Sequence, residues 1–211
     1  MATLVPTTTI EPEPFDAQPR NLWVSARLGA GATAFFFLAF AFAYFYLRSV
    51  DTKAHWKIGA VHPSTGMGIA IVLAITLSAA VARSGRGQRV PAGIVAIALG
   101  LAAVALQCIE YTTVDFGAAS GGYASVYFGW TAMYSVAILL AMYWLEVQVA
   151  TAARAPRGAT IAAELTAGGH EPPRPQSVDA ELTAATYEAT TFFWSFLAGI
   201  GVLTWVILYL V

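Results

Sequence analysis

The residues best placed to do chemistry lie in the stretch Leu106 to Phe128, LQCIEYTTVDFGAASGGYASVYF, where Gln107 and Glu110 sit one helical turn apart and Tyr111 follows. They fall at the end of an apolar run. A carboxylate there is costly unless it reaches the headgroup layer or meets a partner. Two roles fit Glu110: proton exchange, or an interfacial carboxylate that holds an adjacent helix or a loop amide. Glu188, at the start of the last apolar run, is open to the same two readings. Neither has an intramembrane basic partner in sequence. His55, His62 and His170 are scattered without metal-ligand spacing, and the single Cys108 excludes an intrachain disulfide and a CxxC pair. We expect no catalytic centre, no metal and no cofactor held by this chain.

The elements that must position these groups are membrane helices. Of 211 residues, 58% are hydrophobic and 11% charged, against about 25% charged in a typical soluble domain. The net charge of -1 and the dispersed Lys and Arg residues offer no basic face for nucleic acid. Five apolar runs are long enough to cross a hydrocarbon layer of about 30 Å. The spans are expected at about 26–48, 65–83, 90–111, 122–150 and 185–211, in an all-α integral membrane bundle.

Arg27 and Arg48 bracket the first span, with Trp23, Tyr44 and Tyr46 near its ends. Pro63, Ser64 and Thr65 read as a helix start with a hydroxyl cap, and GAASGG reads as a turn before the fourth helix. Residues 1–22 read as a polar tail ahead of a membrane domain covering 23–211. Residues 147–183 read as a helix overhang followed by a mobile loop at 154–183, because Arg154, Arg157 and HEPPRPQ interrupt the apolar pattern. By alternate side, Arg20, Arg27, Arg83, Arg86, Arg89, Arg154, Arg157 and Arg174 oppose Arg48, Lys53 and Lys57. The positive-inside rule then puts the N-terminus in the cytoplasm and the C-terminus outside.

The aromatic set Phe35, Phe36, Phe37, Phe40 and Phe42 covers most of a helix surface and reads as packing against lipid and neighbouring spans. Small residues at Gly29, Ala32 and Thr33, and at Gly66, Ala70, Ala74 and Ser78, would let helices approach closely. No ionisable residue stands at mid-depth of a span, where pumps and ion-coupled transporters need one. A small stand-alone transporter or channel is therefore the weaker alternative.

Three stretches resemble subunit III of the haem-copper cytochrome c oxidase family, in a divergent form with five spans. The first is Phe36-Phe37 followed by Ala43-Tyr44-Phe45-Tyr46-Leu47-Arg48. The second, and most specific, is Gln107, Glu110 and Tyr111, then Phe116, then Tyr123, Ala124, Ser125, Tyr127, Phe128 and Thr131, similar to QxxEY…F…YGSxFFxxTG. The third is Tyr187-Glu188-Ala189 with Phe193, Trp194, Phe196 and Trp205. Thr33 stands where the family has a glutamate, Tyr134 and Ala137 where it has two histidines, Ala132 where it has a glycine, and Ser195 and Ala198 where it has His and Asp. Apolar packing is expected to replace the missing polar pairs.

The resemblance implies a non-catalytic chain of a bacterial aerobic terminal oxidase in the cell membrane. Haem and copper would belong to partner subunits, subunit I and subunit II of a hetero-oligomeric respiratory complex, and this chain would bind phospholipid. Arg83, Arg86 and Arg89 are the expected headgroup contacts, since a basic loop near an anionic surface gains about 1 kcal/mol per cation. A subunit III-like component of a quinol oxidase or a nitric oxide reductase cluster fits the same residues.

Overall fold

The computed structural model describes residues 17–52, 55–57, 61–85, 88–168 and 176–211. Their regular structure is entirely helical: α1 (Gln18–Ser49), α2 (Thr65–Ser84), α3 (Arg89–Thr113), α4 (Gly122–Ala167) and α5 (Gln176–Trp205), closed by a π-helical turn over Val206–Leu210. All five helices are long and apolar enough to cross a membrane. The chain is a multi-pass membrane protein.

Local sequence explains most of the boundaries. Pro19 lies in the first turn of α1, where its fixed φ suits a helix start. That places residues 18–22 in the helix and not in the expected tail, while residues 1–16 lie outside the described residues. Ser64 caps α2, its hydroxyl accepting the Met67 N–H at 3.3 Å, as the Pro63-Ser64-Thr65 pattern predicts. Gly121, at φ 109°, makes the turn into α4 in a conformation that side chains disfavour.

The loop expected at 154–183 is a correction. α4 continues through Pro156 to Ala167, and α5 begins at Gln176. The alanines of this segment favour helix strongly enough to carry the chain past one proline and one glycine. At about 1.5 Å per residue the 46 residues of α4 span roughly 69 Å, so its end stands clear of a 30 Å hydrocarbon layer.

The helices do not pack in chain order. α1 leans on α5 and α4, α2 on α3 and α5, and α3 on α2 and α4, so that α5, last in sequence, meets α1, α2 and α4. The α2–α3 pair is the most extensive. α3 also buries a stripe that sequence reading passed over, Gly93, Ala96, Gly100, Ala103, Gln107 and Glu110, with Gly93 against Val149 of α4 and Gly100 against Trp194 of α5. Their alternating spacing of three and four keeps one seam facing its neighbours. The small side chains let backbones approach where no hydrophobic effect drives association.

At the middle of the seam, Trp194 of α5 lies against the bare backbone of α3. A Cβ on Gly100 would stand 3.0 Å from its ring. The indole N–H donates to Ser78 Oγ at 2.9 Å, and that hydroxyl donates to the Ala96 carbonyl at 2.6 Å. Three helices are thereby tied through one side chain. Tyr134 ties in a fourth, α4, its buried hydroxyl donating to the Leu197 carbonyl of α5 at 2.9 Å. A polar link therefore survives at a position where apolar packing was expected.

The phenylalanine set divides by face. Phe35 and Phe42 are 77% and 70% exposed on the outside of the bundle, whereas Phe37 is buried against Tyr134 and Phe40 packs on Trp130. Of the small residues expected to bring helices together, Ser78 is buried but Gly66 is exposed.

Candidate functional site

The α3 stripe ends by turning Gln107 and Glu110 inward, one turn before the helix stops at Thr113. Glu110 has no exposed surface. Its Oε2 accepts the Tyr209 hydroxyl at 2.6 Å and the Gln107 amide at 3.2 Å. Gln107 Nε2 also lies 3.4 Å from Tyr127 Oη, which is 3.4 Å from Tyr209 Oη. The residues come from α3, α4 and the π-helical turn. A buried carboxyl needs such donors, because leaving water without them is costly.

A second pair lies beside the first. Thr131 Oγ1 donates to the Tyr127 carbonyl at 2.6 Å, so its bond with Tyr111 at 2.7 Å takes the Tyr111 proton. Phe128 packs on Tyr111, Phe116 and Tyr127. The sequence-derived set Gln107, Glu110, Tyr111, Phe128 and Thr131 is thus one cluster. Tyr209, its strongest donor, lies 99 residues from Glu110, and no local spacing announces it.

The C-terminal segment is fixed at this end of the bundle. The Tyr123 hydroxyl donates to the Leu208 carbonyl at 2.5 Å, and Arg48 donates to the Val211 carbonyl at 2.8 Å. The Asp51 carboxylate accepts the His55 and Trp56 amides at 2.9 and 2.8 Å, shaping the loop after α1. That loop in turn accepts the first amides of α4, Trp56 O from Tyr123 N at 2.9 Å. Ser125 belongs to the turn and not to the cluster. It is exposed, and its hydroxyl donates to the Ala118 carbonyl at 2.7 Å.

Lys57 stands over the Tyr123 ring, its Nζ 4.5 Å from the centroid. Burial, and then the Arg48 charge, hold its pKa below the ordinary lysine value of 10.5. With the folded pKa depressed, the unfolded chain binds more protons between that lowered value and 10.5, so stability rises with pH through this window. In Lys57→Met this alkaline gain disappears, as thermal unfolding of the two proteins across that pH range will register.

The other sequence-derived residues lie elsewhere. Trp194 is in the α2–α3–α5 seam, and Glu188 is half-buried within the first half of α5. Arg83 is exposed, Arg89 is half-buried with its guanidinium 5.2 Å from the Tyr187 ring centroid, and Arg86 lies outside the described residues. The three arginines are therefore not an equivalent set. His55 and His62 are exposed and His170 lies outside the described residues. Among the described residues no three His, Cys, Asp or Glu side chains gather as metal ligands would.

Chemically, the cluster is one carboxyl, one carboxamide and hydroxyls bonded to one another, with no nucleophile and base paired for covalent work. It can hold three helices together, and it can hold a proton. No protein-family model and no characterised protein matches this chain.

Proposed function

We propose that this chain is a non-catalytic, subunit III-like component of a bacterial haem-copper terminal oxidase of the cytochrome c type. It packs against the catalytic subunit I beside subunit II, in the bacterial cell membrane with its N-terminus cytoplasmic. Haem and copper belong to those partners, and this chain contributes helix packing and phospholipid contacts that sustain oxygen reduction and proton uptake. Arg83 is the exposed candidate for a headgroup contact.

One observation carries the reading. Gln107, Glu110, Tyr111 and Thr131, which resemble the family's most specific motif, come together in one buried cluster that Tyr209 joins to the end of α5, beneath an exterior rich in apolar side chains. A chain so organised is suited to supporting a neighbour.

Removing the chain from its host tests this. Membranes lacking it should begin oxygen consumption with reduced cytochrome c near the normal rate and then lose activity over repeated turnover. An oxidase with unchanged rate and unchanged lifetime would refute the assignment.

A further inference from the structure

Beside the Glu110 cluster, α2, α3, α4 and α5 line a small, partly open cavity of about 20 Å³. Its wall includes Val72, Gln107, Thr131, Thr204, Trp205 and Tyr209. Trp205 lines it, and its Nε1 is buried with no acceptor for its proton among the described residues. Native proteins rarely leave a buried N–H in that state, and ordered water is the usual acceptor where space allows. One water needs roughly 10–15 Å³ and two to four polar partners.

The wall supplies those partners. Gln107 uses its Nε2 toward Glu110 and Tyr127, which leaves its carbonyl oxygen as an acceptor. Thr204 gives its hydroxyl proton to the Ile200 carbonyl at 2.8 Å, and Thr131 gives its own to Tyr127, so both oxygens keep a lone pair. We propose that this cavity binds one ordered water molecule, which accepts the Trp205 indole N–H and donates to the Gln107 carbonyl oxygen and a threonine hydroxyl. The water ties the Trp205 indole into the Glu110 cluster and satisfies an N–H that otherwise has no partner among the described residues. This follows from the geometry of the chain alone and holds whatever complex the chain joins.

The test is nuclear magnetic resonance of the full chain, labelled at its indole nitrogens, in lipid nanodiscs. The Trp205 signal is assigned by its loss in Trp205→Phe. Magnetisation passed from water should reach the Trp205 indole proton, and Val72→Ile, which adds a methylene to the cavity wall, should abolish the transfer. Trp194, whose buried indole N–H already donates to Ser78 Oγ, should show none. Absence of transfer to Trp205 in the wild type, or its persistence in Val72→Ile, would overturn the proposal. Should that variant fail to accumulate, the comparison of Trp205 with Trp194 in the wild type decides alone.

Discussion

Trp194→Ala should lower the stability of the chain by about 3–5 kcal/mol, the range for emptying a buried tryptophan site. The indole is 1% exposed, lies on the backbone of α3 at Gly100, and reaches the Ala96 carbonyl through Ser78. Removing it opens a void where three helices meet and strands the Ser78 oxygen. Trp194→Phe keeps most of the volume and loses one hydrogen bond, a cost of about 1 kcal/mol. Denaturation by increasing detergent mole fraction, followed by helical circular dichroism, will rank the three proteins. A loss under about 1 kcal/mol for the alanine variant would remove Trp194 from the centre of the packing.

Glu110→Leu should cost about 2–4 kcal/mol, because it leaves the Tyr209 hydroxyl and the Gln107 amide buried without an acceptor. Glu110→Gln preserves an acceptor oxygen in the same place and should stay within about 1 kcal/mol of the wild type. The pair separates the two roles open to this carboxyl. Glutamine can hold the helices but cannot carry a proton, so oxygen-reduction turnover that survives in Glu110→Gln and falls in Glu110→Leu identifies a structural contact. Equal stability of the two variants would contradict that assignment.

The five spans and the Ser64 cap were legible because each depends on residues adjacent in sequence. The pairing of Gln107 with Glu110 was legible for the same reason, being one helical turn. What joins them to the rest was not. Tyr209 reads in sequence as one more aromatic near the end of an apolar run, and only the packing of α5 beside α2 brings it to Glu110. The same holds for Tyr134, whose bond to Leu197 spans 63 residues. The 154–167 segment was misread because Pro156 and Gly158 outweighed its alanines in the reading, whereas helix propensity summed over the segment prevails in the fold. The α3 seam was missed because small residues abound in every span, and a stripe of three-and-four spacing stands out only once its buried face is seen.

The bundle joins its helices through a buried polar cluster and keeps a largely apolar exterior. The most direct measurement is to solubilise host membranes in a mild detergent, capture this chain by an affinity tag, and record the visible spectrum and the masses of what accompanies it. The account predicts haem absorption and a large multi-span partner recovered in fixed proportion to this chain. A haem-free preparation containing this chain alone would contradict it.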